Sequence, residues 1–275
     1  MQCHRLIRLL LITIGSALVT ALLGCGGGGD TSPSLPTQPS GRIVSLSISS
    51  VKIGYTYSID VYLPASYDTG SAVYPTIYAL DGDSRFDGAS TRFDNFREIL
   101  RRRGTNAILV GIGGTARRQI DYNFPGAIAY HDFVALELIP FVESRFRTVP
   151  NKRILSGIST SGNFAATALF LEAPTTLTFS HFLSAEGAFW QQLETVNTLE
   201  EQMFNAAKGK DIPATLILVR ATGSTSTNSA YVHDLFVRMD ARHYSGLKLL
   251  ETAFPTGHVQ VDNPSFEDAI ERILQ

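Results

Sequence analysis

Two kinds of hydrophobic pattern follow one another along the chain. Residues 43–49 and 55–63 alternate apolar and polar side chains, which is typical of strands that bury one face only. Further on, apolar residues come in short continuous runs, as expected of strands covered on both faces. These runs occupy residues 75–80, 107–112, 153–158, 181–185, 214–221 and 247–253. The pattern predicts antiparallel strands at the start, followed by buried parallel ones.

Helical spacing fills the stretches between the apolar runs. The predicted helices span residues 92–103, 130–146, 162–172, 190–207, 229–243 and 264–274. Strands that alternate with helices indicate an α/β fold, with a mostly parallel central sheet of about eight strands and helices on both faces. In such sheets ligands bind beyond the carboxyl ends of the strands. We therefore expect any chemistry directly after the apolar runs.

The first residues carry a separate pattern. Arg5 and Arg8 precede an apolar run of about fifteen residues that ends in small side chains, as in secretory signal peptides. A membrane-spanning helix needs roughly twenty apolar residues, so the pattern favours export. The run ends in LLGC, residues 22–25, which resembles the lipobox of bacterial lipoproteins, where the signal is cut before a cysteine that receives lipid. Ordinary cleavage near Gly24 is the alternative.

The segment behind Cys25 predicts a tether. Residues 26–41 hold four consecutive glycines and then a mixture rich in proline and serine, with almost nothing to bury. We expect a signal peptide over 1–24, a tether over 25–41 with lipid on Cys25, and a folded domain over 42–275. Gly26, in place of an aspartate, resembles the pattern that permits sorting to the outer membrane. The expected location is the bacterial cell envelope, lipid-anchored in the outer membrane and facing the periplasm.

The composition excludes several kinds of active site and partner for that domain. Cys3 would leave with the signal and Cys25 would carry lipid, so disulfides, thiol nucleophiles and cysteine metal sites are excluded. Removing residues 1–24 takes away two of 23 Lys and Arg, leaving 21 against 25 Asp and Glu and a net charge near −4. This balance does not suggest a nucleic-acid partner. The 234 residues from Arg42 onward suffice for one sizeable core, and they carry no indication of an oligomeric state.

The candidate nucleophile lies in SGISTSGN, residues 156–163. This stretch follows one predicted strand and precedes a helix, which is the context of the G-x-S-x-G nucleophile elbow. Gly157 and Ser159 fit the pattern, whereas Ser161 stands where the last glycine is usual and Gly162 follows it. Ser159 is therefore the predicted nucleophile. The alternative is an N-cap turn in which hydroxyl groups bind the free amides of the helix.

Six segments, taken in order, resemble the esterase family of α/β hydrolases that contains siderophore esterases, S-formylglutathione hydrolases, feruloyl esterases and mycolyltransferases. The segments are DVYLPASYD (60–68), YPTIYALDGD (74–83), RQIDY (118–122), FVALELIPFVESRFRT (133–148), RILSGISTSGN (153–163) and FPTGHVQV (254–261). The resemblance covers roughly Tyr57 to the C-terminus. It implies an α/β-hydrolase fold and serine-dependent hydrolysis of a small-molecule carboxylic ester through an acyl-enzyme, without metal or cofactor.

Chain order in this fold selects the base and leaves the acid open. The histidine of such a triad follows the last strand, and His258 is the histidine in that place. The usual acid position, after strand 214–221, holds no Asp or Glu. Glu186, at the end of strand 181–185, is our candidate to orient His258, with Asp234 as second choice. A serine and histidine dyad without an acid is the alternative.

The resemblance also places the oxyanion hole. The amide of Thr160, directly after the nucleophile, is one expected donor, and the other comes from the loop after strand 75–80, where Gly82 and Asp83 supply the position. An Asp-Gly turn without a catalytic role is the alternative reading of that loop.

Three functions fit these residues. The leading one is a serine esterase on the periplasmic side, acting on siderophore, aryl or acyl esters. An acyltransferase of the same fold differs from it only in excluding water and binding an acceptor alcohol. A lipoprotein that keeps the fold but only binds its ligand is the third, and Ser161 and the vacant acid position are the features that favour it.

Overall fold

The computed structural model describes residues 41–86, 88–223 and 227–274. The predicted signal peptide and Cys25 lie outside the described residues. Within these ranges, no helix combines the length and apolar character needed to cross a membrane.

One eight-stranded sheet organises the domain, in the order β1-β2-β4-β3-β5-β6-β7-β8. The strands are β1 (Arg42–Ser50), β2 (Tyr55–Leu63), β3 (Tyr74–Ala79), β4 (Ile108–Ile112), β5 (Thr148–Ile158), β6 (His181–Ala185), β7 (Thr215–Ala221) and β8 (Lys248–Phe254). β2 pairs antiparallel with β1 and with β4, and every pair from β4 to β8 is parallel. The predicted sheet and its antiparallel start are therefore confirmed.

Helices cover both faces of the sheet. They are α1 (Arg92–Arg103), α2 (Arg118–Asp121), α3 (Gly126–Asp132), α4 (Ile139–Glu143), α5 (Thr160–Glu172), α6 (Leu193–Ala206), α7 (Thr227–Asp240) and α8 (Asp262–Leu274). One core forms between the sheet and α3 to α7, and a second core forms between the sheet and the pair α1 and α8. The two cores explain why the central strands read as continuous apolar runs.

The predicted helix over 130–146 is the largest local difference. The structure has α3 and α4 separated by a π-helical turn, Phe133–Leu138. Pro140 follows this turn. Proline cannot donate to the carbonyl four residues back and its ring crowds that carbonyl, so a wider turn before it removes the conflict.

Strand β5 starts five residues earlier than its apolar run. Residues 148–152 are polar, half-exposed or exposed, but Tyr74 pairs with Thr148 and extends the ladder between β3 and β5. A register shift follows Tyr74. The start of β5 is therefore set by backbone pairing with β3, and such pairing leaves no hydrophobic pattern in the sequence.

Candidate active site

Ser159 forms a sharp turn between β5 and α5. Its backbone has φ 60° and ψ −119°, a sparsely populated conformation for a residue with a side chain. A Cβ on Gly157 would lie 2.1 Å from the Ser161 carbonyl oxygen, and one on Gly162 would lie 2.7 Å from the Ala185 carbonyl oxygen. The turn therefore requires glycine on both sides of the serines.

The hydroxyl groups of this turn do different things. Ser159 occupies the N-cap position of α5, but its side chain makes no capping hydrogen bond. Ser161 is fully buried, and its hydroxyl accepts from the Ile158 amide (2.9 Å) and donates to the Ile158 carbonyl (3.0 Å). Ser161 thus ties the turn together, while Ser159 remains half-buried and uncommitted to a cap.

Glu186 and His258 meet although 72 residues separate them. The Oε2 atom of Glu186 lies 3.2 Å from Nδ1 of His258, whose side chain is 35% exposed. Glu186 itself is fully buried and has φ 46°. Its Oε1 atom accepts from the Ala221 amide (2.6 Å), and its carbonyl accepts from Asn228 Nδ2 (2.8 Å). These contacts with β7 and α7 hold the carboxylate in place beside the imidazole.

The sheet brings this pair to the same edge as Ser159. β5 and β6 are neighbours, with Ile158 opposite Ala185. The Ala188 amide donates to the Ser159 carbonyl (3.0 Å), so the chain after Glu186 runs directly beside the elbow. Within the described residues, no hydrogen bond joins the Ser159 hydroxyl to His258.

The second-choice acid is not part of this arrangement. Asp234 lies on an exposed face of α7. His131 and His233 are paired with other carboxylates, Glu172 (2.7 Å) and Glu251 (2.9 Å). The carboxylate that contacts His258 in the structure is therefore that of Glu186 and not that of Asp234.

One of the two expected oxyanion donors on the loop after β3 is ruled out. The Gly82 amide donates to the Ile112 carbonyl (2.8 Å), so it is committed to the sheet. The Asp83 amide has no such partner among the described residues, and the Asp83 carboxylate accepts from the amides of Gly114 (3.0 Å) and Thr115 (3.1 Å). Thr160, the first residue of α5, and Asp83 are the candidates that remain.

A buried ion pair that our sequence analysis did not assign supports the same loop. Asp81 has φ 54°, is fully buried, and its Oδ2 accepts from Arg118 Nη2 (3.0 Å). The same Nη2 donates to the Ile158 carbonyl (3.1 Å), so it connects the loop after β3 with the elbow. Burial raises the pKa of the Asp81 carboxyl, and the Arg118 charge opposes that rise. The signal available in the sequence was an aspartate at a strand end together with the arginine of RQIDY.

No metal site accompanies these residues. In the part of the chain that the structure describes, no group of three or more His, Cys, Asp or Glu side chains could hold a metal ion.

A strained serine after the central parallel strand, with a histidine and a carboxylate at the same sheet edge, defines the class of α/β-hydrolase enzymes. Residues 50–245 match the family described as "Putative esterase". The match covers Ser159 and Glu186 and ends before His258. The chain belongs to this family and is a carboxylic ester hydrolase. No curated protein is significantly similar to the chain in sequence.

Solved structures share the fold. An IroE-like serine hydrolase from Shewanella oneidensis has a TM-score of 0.72 and 23% identity, with 85% of this chain and 80% of that chain covered. The siderophore hydrolase EstA from Aspergillus nidulans has a TM-score of 0.68 and 20% identity, covering 88% and 96%. S-formylglutathione hydrolase FrmB from Staphylococcus aureus has a TM-score of 0.64 and 15% identity, covering 88% and 100%.

Proposed function

We propose that this esterase works through Ser159 as nucleophile, with His258 as general base and Glu186 as the carboxylate that orients it. The observation that carries the proposal is the 3.2 Å contact between Glu186 Oε2 and His258 Nδ1 at the sheet edge where Ser159 forms its strained turn. A carboxylate at Nδ1 holds the proton there and leaves Nε2 free to accept one.

The steps follow from these positions. His258 Nε2 takes the proton of the Ser159 hydroxyl as Oγ attacks the carbonyl carbon of the ester. The amides of Thr160 and Asp83 donate to the oxyanion that forms, and His258 returns the proton to the leaving alcohol. A water molecule then repeats the sequence on the acyl-enzyme and releases the acid. Glu186 orients the imidazole of His258 in both halves of the reaction.

Fluorophosphonate labelling tests the nucleophile. We expect the purified wild-type protein to be labelled on Ser159 alone, as mapped by peptide mass spectrometry, and Ser159→Ala to remain unlabelled with its fold intact. A folded wild-type protein that takes no label would overturn the serine mechanism and favour a binding role.

A matched pair of variants tests the acid. We expect Glu186→Gln to lower kcat by on the order of 10²- to 10⁴-fold, because the amide no longer stabilises the imidazolium. Asp240→Asn removes the charge of an exposed carboxylate on α7 that lies outside the cavity described below, and it should leave kcat within twofold. Unchanged turnover in Glu186→Gln would show that a serine and histidine dyad suffices.

For the substrate we propose esters with an aryl or long apolar acyl group, a class that includes siderophore esters. A cavity of about 290 Å³ is lined by Phe189 and Leu193 of the segment that follows Glu186 and by Tyr231 and Leu235 of α7, with the charged side chains of Asp234 and Arg238 also in its wall. Trp190 stays 47% exposed beside it, and its Nε1 donates to Asn228 (2.6 Å). Solved structures of this fold include a siderophore hydrolase and an enterobactin and salmochelin hydrolase, which supports the choice.

An ester panel tests this preference. We expect kcat/KM to rise at least tenfold from acetyl to aryl or octanoyl esters of one alcohol, since each buried CH₂ contributes about 0.8 kcal/mol. The same panel with added acceptor alcohols separates hydrolysis from acyl transfer. A preference for acetyl esters would contradict the proposal.

We further propose that lipid on Cys25 anchors the protein in the cell envelope, facing the periplasm. The basic start, the short apolar run and LLGC at residues 22–25 support this location.

A further inference from the structure

Arg92 is buried at a place that local preferences disfavour. It is the first residue of α1, and only 2% of it is exposed. A helix N-terminus carries partial positive charge and favours anions, while a buried cation requires close partners. The position of Arg92 therefore has to be explained by what its guanidinium binds.

One side of the guanidinium binds the ends of two central strands. Its Nη1 donates to the carbonyls of Leu80 (2.6 Å) and Ser156 (3.1 Å), and its Nη2 donates to the Ser156 hydroxyl (2.9 Å). Leu80 directly precedes the loop that holds Asp83. Ser156 stands three residues before Ser159. Arg92 thus contacts the strands that carry the candidate nucleophile and the candidate oxyanion donor.

The other side binds the start of α8. Nε and Nη2 of Arg92 donate to the two carboxylate oxygens of Asp262 (2.7 and 2.9 Å). Asp262 is also buried. Asp262 comes four residues after His258. The chain between them is a compact turn, in which the Val261 amide donates to the Gly257 carbonyl (3.1 Å). Displacement of Asp262 would therefore displace the turn that carries His258.

We propose that Arg92 and Asp262 form a positioning pair, which sets the His258 turn against the strand ends that carry Ser159 and Asp83. This inference rests on the proposed function of those residues. The pair itself acts through the backbone. Its two side chains are almost fully buried, and they bind each other and the ends of the two central strands.

A role in stability alone would not require an ion pair here. The same two helices are already joined by the stacked rings of Phe96 and Phe266, with centroids 3.6 Å apart, and by an exposed pair of Arg103 and Glu271 at 2.7 Å. Buried ion pairs often stabilise a protein no more than apolar residues of the same size would. The bidentate geometry instead fixes direction, which is what a catalytic turn needs.

Asp262→Asn tests the proposal, with Glu271→Gln as the matched control. Both changes remove one carboxylate of α8 that faces an arginine of α1, but only Asp262 lies next to the His258 turn. Three quantities are measured on the purified full chain: kcat and KM for an ester, the rate constant for fluorophosphonate labelling of Ser159, and the proton resonance of His258 Nδ1 in ¹⁵N-histidine-labelled protein. Glu186→Gln provides the reference for a lost Nδ1 hydrogen bond.

We expect Asp262→Asn to lower kcat and the labelling rate constant by roughly 10- to 100-fold, since small displacements of reacting groups have effects of that size. KM should stay within twofold, and the Nδ1 resonance should move toward its position in Glu186→Gln. Glu271→Gln should leave all three quantities unchanged. Ser156→Ala, which removes one hydrogen bond and leaves the ion pair, should give a smaller loss in the same direction if Asp262→Asn does not fold.

Other outcomes overturn the proposal in distinguishable ways. If the variants lose thermal stability but keep kcat, labelling and the Nδ1 resonance, the pair is structural only, and the proposed function stands. If wild-type Ser159 itself takes no label, the proposed function fails, and the positioning role fails with it.

Discussion

Ser161 departs from the usual sequence of a nucleophile elbow, and its hydroxyl has a structural role. The pattern of the elbow has glycine at this position, and the serine here reads in the sequence as a tolerated small residue. In the structure its hydroxyl satisfies both backbone groups of Ile158. Buried amides and carbonyls without partners are costly, so this hydroxyl supports the residue that precedes the candidate nucleophile.

We expect Ser161→Ala to lower the free energy of unfolding by about 1–3 kcal/mol, because the buried Ile158 amide loses its partner. Ser71→Ala, at an exposed serine between β2 and β3, should change it by less than about 0.5 kcal/mol. Urea unfolding of both variants at neutral pH measures the difference. Equal stabilities would show that the hydroxyl makes no net contribution.

His181 gives the protein a stability that depends on pH. Burial lowers the pKa of His181 to about 4, and the charges of Lys152 and Lys248 add to the effect. The unfolded imidazole takes up its proton near pH 6.5. Between about pH 6.5 and 4 the unfolded chain therefore binds more protons than the folded one, and the free energy of unfolding falls as the pH falls through this window.

The corresponding variant is His181→Asn, whose amide can replace Nδ1 as the partner of Ser180 Oγ (2.8 Å). Between pH 7 and pH 4.5 we expect the free energy of unfolding to fall by about 1–2 kcal/mol less in this variant than in the wild type, allowing for the partial exposure of the ring. Urea unfolding at both pH values measures this. Parallel pH profiles for wild type and variant would refute the assignment.

At the scale of elements, the elbow depends on how closely α5 approaches the sheet. A Cβ on Gly157 would lie 2.1 Å from the Ser161 carbonyl oxygen, and neither backbone can yield without moving the helix or the strand. By contrast, a Cβ on Gly70 would meet nothing within 4 Å, and Gly70 has an extended φ of −159°. Gly157 is therefore a position at which to test this close approach, and Gly70 is its control.

We expect Gly157→Ala to lower the free energy of unfolding by about 3 kcal/mol or more. Gly70→Ala should change it by less than about 0.5 kcal/mol. Thermal unfolding compares the two, and hydrogen exchange should show the loss of protection concentrated in the first turns of α5. A stable Gly157→Ala would mean that the helix can shift at little cost.

For the whole molecule, the proposed anchor predicts a covalent modification. Cells given a labelled fatty acid should incorporate it into the wild-type protein and not into Cys25→Ser, because that cysteine is the proposed site of acylation. Cys3→Ser is the matched control, since Cys3 would be removed with the signal peptide. Label that persists in Cys25→Ser would exclude this site.

Patterns in the sequence were enough to predict the order of the elements, the α/β class and a short set of candidate side chains. Hydrophobic periodicity is a local property, so it located β2, β6 and α1 at their observed bounds. It did not locate the start of β5 or the interruption at Phe133–Leu138, which depend on a neighbouring strand and on one proline. The resemblance to the esterase family rested on segments in order and was confirmed by the family match.

Which of those side chains lie next to each other depends on how the whole chain packs. Glu186 contacts His258 because β6 lies between β5 and β7 and because the backbone of Glu186 has φ 46°. Neither the strand order nor this backbone angle produces a periodic pattern of hydrophobic residues in the sequence. The commitment of the Gly82 amide to Ile112 depends in the same way on a neighbouring strand. The contacts of Arg92 join residues 170 positions apart. Local patterns specify elements, whereas distances between side chains at a sheet edge follow from strand order and backbone turns, which form only when the whole chain packs.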